Sequence, residues 1–329
     1  MGVSARKRLA TGLLYLLLIA GAVPVMVPFL WMVASSLKPR DEAGGYPPRW
    51  LPTVTHTYSV AGGRVREVKV LESGVRGRSQ VRYLDTGADA WLPEGALRRQ
   101  QRVEPQWRNY GQVLERESFG RYLANTLVVA LLCCIGQVLS SSLVGYGFAR
   151  IRFTGKHWLF LVMLATLMVP GQIHMIPTFM IYRGLGWIDT FLPLIVPAWL
   201  GSAFFAFLFR QFFLTIPLEL EDAARVDGCS PLHTYWHILL PMARPVTVTV
   251  AVYTFLGAWN DFLGPLIYIN SDHKRTLSLA LDKFKNAYGV TDIPALMAAS
   301  VLMILPVLLI FFLSQRALMR GMVITGVKG

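Results

Sequence analysis

Six long apolar stretches are the feature that most constrains how this chain folds. A helix needs about 20 apolar residues to cross the hydrocarbon layer of a bilayer. Each stretch reaches about that length and contains at most one acidic or basic residue. The stretches lie at about 9–36, 122–149, 158–182, 191–209, 245–269 and 294–314. Since only helices and closed barrels satisfy their backbone groups in lipid, runs this long predict an all-α integral membrane protein with six transmembrane helices.

The composition excludes the other broad classes of protein. Charged residues make up 16% of the chain and apolar residues 54%, whereas soluble domains carry roughly 25% charged residues. A chain this apolar is not extensively disordered. Two of its three cysteines, Cys133 and Cys134, are neighbours, which excludes a disulfide scaffold. The net charge of +13 does not indicate nucleic-acid binding, because the basic residues lie mainly between the apolar stretches.

The distribution of Lys and Arg predicts the orientation in the membrane. Twelve lie on the side of the N-terminus and five in the short links on the other side, which predicts that both termini are cytoplasmic. The twelve are Arg6, Lys7, Arg8, Arg150, Arg152, Lys156, Arg210, Arg225, Arg244, Arg316, Arg320 and Lys328, and the five are Arg183, Lys274, Arg275, Lys283 and Lys285. A cleaved signal peptide does not explain the first stretch, because its apolar run continues through Val33.

Residues 38–120 differ from the rest of the chain in being rich in charged residues. Val65, Val68 and Val70 are spaced as in a strand, and glycine pairs supply turns. The segment therefore predicts an extracytoplasmic β-rich insertion with three to five strands over about 54–97. Two interpretations stay open: a platform that contacts a partner outside the membrane, or a lineage-specific elaboration of a loop that tolerates insertions.

The link between the fourth and fifth stretches predicts a cytoplasmic helical hairpin over 216–241. Pro217 suits the first position of a helix, where the missing N–H is not needed. Gly228 suits the left-handed residue that closes a helix, and Ser230 suits the N-cap of a second one. Pro241 is predicted to stop that second helix.

This hairpin resembles the EAA loop of ABC-importer permeases. The resemblance is carried at the family's spacing by Asp222, Ala223, Ala224, Gly228, Ile238, Leu240 and Pro241. The one departure is Asp222, where the family usually has Glu. Two further segments resemble sugar-importer permeases of the maltose type, namely Trp259-Asn260-Asp261-Phe262 and the tail from Gln315-Arg316 to Lys328-Gly329. The resemblance does not cover the insertion, which is longer than expected for relatives.

The resemblance implies a permease subunit of a carbohydrate importer in a bacterial or archaeal inner membrane. It implies a heterodimer with a second permease, two ATP-hydrolysing subunits and an extracytoplasmic sugar-binding protein. The hairpin would be the coupling helix, with Glu221 and Asp222 facing basic groups of the ATPase. The tail residues would also contact the ATPase; they are Gln315, Arg316, Lys328 and Gly329.

The chain itself contains no G-x-x-x-x-G-K-[ST] loop for binding phosphates, so ATP hydrolysis would reside in a separate subunit. We therefore expect a transport subunit without enzymatic activity and without a cofactor. The domain organisation expected is a first transmembrane helix over 1–37, the insertion over 38–120, a permease core over 121–315 and a cytoplasmic tail over 316–329.

Asn260 and Asp261 are candidates for the translocation path. An ionisable residue inside an apolar stretch is costly in lipid and faces a cavity or a partner. Asp261 either binds sugar hydroxyls, with Asn260 beside it, or makes a structural hydrogen bond between helices, or lies near the outer headgroups. Cys229, His233 and His237 are four residues apart, but Cys229 precedes the helix, so we expect no metal site.

The alternative function is an ion-coupled secondary carrier or channel that works without an ATPase. Such carriers often contain internal repeats and ionisable residues in mid-membrane. Here the sequence contains one such carboxylate and no clear repeat.

Overall fold

The computed structural model describes residues 3–40, 42, 49–61, 64–75, 77–115, 118–284 and 292–326. The chain divides into two compact units. Unit 1 contains residues 1–115 and 284–302, and unit 2 contains residues 116–283 and 303–329.

Helices make up most of the described chain. They are α1 (Val3–Ser36), α2 (Arg108–Glu115), α3 (Phe119–Arg150), α4 (Lys156–Ala165), α5 (Met175–Gly184), α6 (Leu192–Trp199), α7 (Ala203–Thr215), α8 (Glu219–Val226), α9 (Pro231–Thr234), α10 (Leu240–Met242), α11 (Arg244–Asn260), α12 (Leu263–Tyr268), α13 (Leu277–Ala280) and α14 (Ile293–Gly326). The strands are β1 (Thr53–Ala61), β2 (Arg64–Val75), β3 (Arg78–Tyr83), β4 (Asp89–Pro93) and β5 (Leu97–Val103).

Four helical segments of the described chain are long and apolar enough to cross a membrane, and a bent pair raises this number to five. The four are Ala10–Ser36, Phe119–Arg150, Leu192–Thr215 and Ile293–Gln315. The bent pair joins Pro231–Met242 to Arg244–Asn260 at an angle of 78°. The protein is therefore mostly helical, with four to five apolar spans.

The third predicted stretch, 158–182, is not one continuous helix. After α4 a 3-10 turn ends at Met168, and α5 begins only at Met175. Val169 is extended, with φ −84° and ψ 115°, directly before Pro170. A proline ring disfavours helical backbone in the residue before it, which explains why the helix breaks here.

The segment between α1 and α2 forms a five-stranded antiparallel sheet with the strand order β4-β3-β2-β1-β5. Thr57 of β1 lies opposite Val68 of β2. Val68 and Val81 are buried, whereas β5 is largely exposed along its length. The strands extend from Thr53 to Val103, so they continue six residues beyond the predicted end at 97.

The two ends of the inserted segment are held together at the end of α1. The Asn109 side-chain amide donates to the carbonyl oxygens of Ser36 at 2.8 Å and Lys38 at 2.9 Å. The backbone N–H of Gln106 donates to the carbonyl of Leu37 at 2.8 Å. These bonds satisfy carbonyls at the helix end that have no partner within the helix. The chain therefore returns to the point at which it left α1.

His56 of β1 lies between two carboxylates in this sheet. Its Nδ1 contacts Glu67 and its Nε2 lies 2.9 Å from Oε1 of Glu104. An ionised carboxylate only accepts hydrogen bonds, so a bond from each ring nitrogen to a carboxylate corresponds to the protonated imidazole. The hydrogen bond to Glu67, reinforced by Glu104, raises the pKa of His56 above its ordinary value of 6.5.

Unit 2 is built around α3, which packs closely against α7. A Cβ atom added at Gly145 would lie 2.6 Å from Cβ of Phe209 and 2.9 Å from the backbone of Ala206 and of Arg210. A glycine is therefore required for this close approach of the two backbones. Around it lies an apolar core, formed by Tyr146, Phe209, Phe213, Ile216, Tyr235, Leu239, Ala243, Val246 and Val250.

We expect Gly145→Ala to destabilise unit 2, because neither helix backbone can move away without opening the core. Overpacking of this kind costs about 1–3 kcal/mol. Gly147→Ala is the matched control, since a Cβ at Gly147 meets nothing within 4 Å. Thermal unfolding of the purified protein in detergent measures the difference. Equal melting temperatures for the two variants would contradict the close packing.

We expect the sheet to lose stability as the pH rises. A raised folded pKa means that the contribution of His56 is fully present below its unfolded pKa of about 6.5 and is lost as the pH rises through the folded pKa. Hydrogen–deuterium exchange of peptides from 53–103, corrected for intrinsic rates, should show protection falling with pH. His56→Gln should remove this dependence, and His157→Gln, outside the sheet, should keep it. An unchanged dependence in His56→Gln would refute the assignment.

Candidate functional site

The predicted hairpin is present over 216–241. Its first helix, α8, begins at Glu219 rather than at Pro217, because the carbonyl of Leu218 is the first to accept helical hydrogen bonds. Gly228 has φ +79° and its N–H donates to the carbonyl of Arg225 at 3.0 Å. This left-handed position closes α8, as expected for a glycine there.

The second helix of the hairpin begins at the predicted cap. The Ser230 hydroxyl accepts the backbone N–H of His233 at 3.3 Å, and Pro231 occupies the first turn. The helix then passes through a π-helical turn, Tyr235–Leu239, before Pro241. Pro241 does not end the helix, which continues to Met242; the π turn accommodates the missing N–H by shifting the hydrogen-bond ladder.

The inner face of the hairpin is fastened to α3 by a buried ion pair. Arg150 Nε lies 2.8 Å from Glu221 Oε1, and the two side chains are 5% and 6% exposed. The Arg150 guanidinium also donates to the carbonyls of Phe213 and Ile216 at the end of α7. Removing one partner of a buried pair leaves an uncompensated charge, which costs about 3–5 kcal/mol.

Two hydroxyl groups fasten the second helix of the hairpin to α3. Tyr146 OH donates to the carbonyl of Pro231 at 3.0 Å. Ser142 Oγ and Tyr235 OH share a hydrogen bond of 2.6 Å. Ser142, Tyr146 and Arg150 are four residues apart, so they lie on one face of α3. This polar stripe was not predicted, although its four-residue spacing at the end of an apolar span is a recognisable signal.

The placement of Glu221 differs from the expectation that it faces basic groups of a partner. Its carboxylate is directed to Arg150 inside the chain, and Ala224 is buried beside it. Asp222 points the other way. Its side chain is 68% exposed and forms a loose pair with Arg225, with 3.5 Å between Oδ1 and Nη1. Of the two carboxylates, Asp222 is therefore the one available to another protein.

The outer face of the hairpin exposes an apolar patch around its tip. Val226 is 89% exposed, and Leu232 and Trp236 are also exposed. Ala223, Gly228 and Pro241 lie on exposed positions, whereas Ile238 and Leu240 are half-buried. Exposed apolar patches rimmed by polar residues mark interaction sites.

Asp261 lies at a break between α11 and α12, where its backbone is extended. Its Oδ1 accepts the N–H of Gly264 at 3.0 Å, and its carbonyl accepts the hydroxyl of Ser278. The carboxylate therefore accepts a hydrogen bond from the first turn of α12, and the interpretations of this residue stay predictions. Asn260 is exposed, and its amide donates to the carbonyl of Leu256 at 2.9 Å.

The tail residues fall in or beyond the last helix. Gln315 Nε2 donates to the carbonyl of Phe312 at 3.2 Å, and Arg316 continues the backbone of α14. Lys328 and Gly329 lie outside the described residues.

The histidines of the hairpin pair with each other. The rings of His233 and His237 stack with 4.0 Å between their centroids. Within the described ranges no group of three or more Cys, His, Asp or Glu side chains is placed to hold a metal ion.

Known proteins share much of this sequence. Residues 141–324, more than half of the chain, match the family described as the binding-protein-dependent transport system inner membrane component. The arabinooligosaccharides transport system permease protein AraQ of Halalkalibacterium halodurans is 35% identical over 208 residues, which are 63% of this chain and 74% of that protein. The sn-glycerol-3-phosphate transport system permease protein UgpE of Pectobacterium atrosepticum is 34% identical over 206 residues, which are 62% and 73% of the two chains.

A solved structure shares the fold. It is a chain of a bacterial ABC transporter involved in the import of the acidic polysaccharide alginate, with a TM-score of 0.67 and 19% identity. The match covers 96% of this chain and 98% of that chain, so it includes most of residues 38–120. The expectation that the insertion is longer than in relatives therefore does not hold for this neighbour. The chain belongs to the binding-protein-dependent transport system inner membrane component family, and it is a permease subunit of an ATP-driven importer, a transport component rather than an enzyme.

Proposed function

We propose that the chain forms the translocation path for a carbohydrate or a sugar-like polyol derivative. The names of two relatives support this class, since they specify arabinooligosaccharides and sn-glycerol-3-phosphate. Asn260 is the candidate contact for solute hydroxyls, because its side chain is exposed beside the helix break at Asp261. Membership of an importer family removes the reason for considering an ion-coupled carrier.

The hairpin is the coupling site for an ATP-hydrolysing subunit. The observation that carries this proposal is the division of the hairpin into two faces: the inner face is fastened to α3, and the outer face exposes an apolar patch beside Asp222. Asp222 would pair with a basic group of the ATPase, and small Ala223 would allow close approach. Gly228 sets the turn between the two helices.

The remaining predicted coupling residues act from within the hairpin. Glu221 and Ala224 hold α8 against α3, and Ile238, Leu240 and Pro241 shape the end of the second helix. The tail is a second contact with the ATPase, through Gln315, Arg316, Lys328 and Gly329. Tail and hairpin would then lie on the cytoplasmic side.

The chain crosses the membrane six times with both termini in the cytoplasm. Three of the six crossings are interrupted helices, formed by α4 with α5, by α6 with α7 and by α11 with α12. Their breaks lie at Pro170, Gly201 and Asp261. Irregular backbone at membrane depth is tolerated where it is buried in protein or lines a cavity. The excess of Lys and Arg on the side of the N-terminus supports this orientation.

The assembly contains a second permease, two ATP-hydrolysing subunits and an extracytoplasmic solute-binding protein, set in a bacterial or archaeal inner membrane. One permease of this size offers one hairpin, so two permeases would engage two ATPases. The segment 38–120 lies outside as a separate module between 1–37 and the core 121–315, with the tail 316–329 inside. The bonds that join the ends of the insertion support a separate module.

Val226→Glu should reduce recovery of the ATPase subunits about tenfold or more when the tagged chain is purified from cells that express the assembly, because a carboxylate is costly in an apolar contact. Val65→Glu is the matched control, since it places the same charge on an exposed valine of β2. Equal recovery with both variants would place the ATPase elsewhere.

A membrane-impermeant maleimide tests the orientation. Gln101→Cys in exposed β5 should react in intact spheroplasts, because the insertion is outside. Native Cys229 in the hairpin should react only after the membrane is permeabilised. Reaction of Cys229 in intact spheroplasts, with Gln101→Cys protected, would reverse the topology.

A further inference from the structure

The helix α3 is an unbroken connection between two ends of unit 2. Three described helices have more than 30 residues, with 34 in α1, 32 in α3 and 34 in α14. α1 contains Pro24 and Pro28, and α14 contains Pro306, whereas α3 contains no proline. Interior prolines remove a hydrogen bond and kink a helix. An intact ladder over 32 residues makes α3 a stiff rod of about 48 Å.

One end of α3 holds the hairpin through its polar stripe. Ser142 and Tyr146 bind the second helix, and Arg150 binds Glu221 in the first. The three contacts reach both helices of the hairpin, so a movement of the hairpin cannot occur without moving this end of α3 or breaking these contacts.

The other end of α3 holds residues 270–277, here called the 270–277 link. Asn125 Nδ2 donates to the carbonyls of His273 at 3.0 Å and Arg275 at 2.9 Å. Thr126 Oγ1 accepts the N–H of Leu277 at 2.7 Å. Tyr122 OH donates to the carboxylate of Asp272 at 2.9 Å. Asn125 and Thr126 follow Tyr122 by three and four residues, so both lie on the same side of α3 as Tyr122.

The 270–277 link is itself stiffened by Asp189, in the connection between α5 and α6. The Asp189 carboxylate accepts the N–H groups of Asn270 at 3.0 Å and Ser271 at 2.8 Å. It also accepts the Ser271 hydroxyl and lies 3.0 Å from Lys274 Nζ. The hydrogen bond from Ser271 is the main reason that the pKa of Asp189 is well below its ordinary value. The link therefore moves as one body with the connection at Asp189.

We propose that α3 transmits the movement of the hairpin to the 270–277 link on the extracytoplasmic side, with Ser142, Tyr146 and Asn125 as positioning residues. The proposal rests on the proposed function of the hairpin as the coupling site for the ATPase. Tyr122 and Tyr146 are 24 positions apart, which is about 36 Å along a helix. ATP-driven closure would then displace the outer link directly, without the need for a contact between the ATPase and any outer residue.

The experiment places a spin label at position 273, through a genetically encoded residue that leaves the native cysteines unmodified. His273 is exposed, and its contact to Asn125 is made by the backbone. The assembled transporter in nanodiscs is trapped with ATP and vanadate. In the labelled protein without further substitutions, the electron paramagnetic resonance spectrum of the spin label should change when the transporter is trapped. Ser142→Ala with Tyr146→Phe weakens the hairpin end of α3 and should reduce this change while the ATPase stays bound. Asn125→Ala weakens the other end and should also reduce it while ATP hydrolysis continues.

The decisive test is the triple variant, which combines Ser142→Ala, Tyr146→Phe and Asn125→Ala. Both sets of contacts would transmit the same movement in series, so the triple variant should lose less signal than the sum of the two separate losses. Losses that add, or an unchanged response in the hairpin-end variant, would overturn the proposal. Tyr253→Phe is the matched control, because this exposed tyrosine lies on α11 and takes no part in the contacts at either end of α3. This variant should show the same spectral change on trapping as the protein without it.

A second variant and a second measurement distinguish a failure of this proposal from a failure of the proposed function. If the double substitution at the hairpin end fails to assemble, Tyr146→Phe alone removes one hydroxyl from α3 and tests the same connection. If the hairpin did not bind the ATPase, the Val226→Glu variant would recover a normal amount of ATPase. That result would contradict the proposed function, and it is obtained without the spin label.

Discussion

The burial of one arginine determines where much of unit 2 lies. Arg150 ends a long apolar helix with its side chain 5% exposed, and a guanidinium stays charged at any accessible pH. A buried charge is tolerated when it is paired and hydrogen-bonded. Glu221 supplies the opposite charge, and the end of α7 supplies carbonyl oxygens. If α8 lay away from α3, neither Arg150 nor Glu221 would have the opposite charge beside it.

The position of α8 then decides which residues of the hairpin face outward. Helical periodicity places Glu221 and Ala224 on one side, and Asp222 and Val226 on the other. Two adjacent carboxylates therefore have different surroundings. Glu221 belongs to the internal architecture of the permease, whereas Asp222 occupies the position that the resemblance to the EAA loop assigns to contact with the ATPase. The exposed apolar patch beside Asp222 is consistent with a surface that another subunit covers.

The sequence predicts the features whose causes are local. The left-handed Gly228 and the cap at Ser230 are encoded by residues that are neighbours along the chain. The break before Pro170 is also local, but a count of apolar residues over the stretch misses it, since hydropathy does not register backbone geometry. The pairing of Arg150 with Glu221 joins distant parts of the chain, and no pattern in either segment specifies it. For the same reason the sequence does not reveal that Glu221 is directed to Arg150 inside the chain.

The contrast between broken and unbroken helices relates the fold to transport. Pro170 interrupts the helices between α4 and α5, and Asp261 lies at the break between α11 and α12. Helix breaks are places where backbone angles can change at little cost, and they suit segments that reshape a path. The intact α3 lacks such a point, so its two ends must move together. A permease that is driven from one side and opens at the other needs both kinds of helix, because flexible segments alone would absorb the driving motion before it reached the far side.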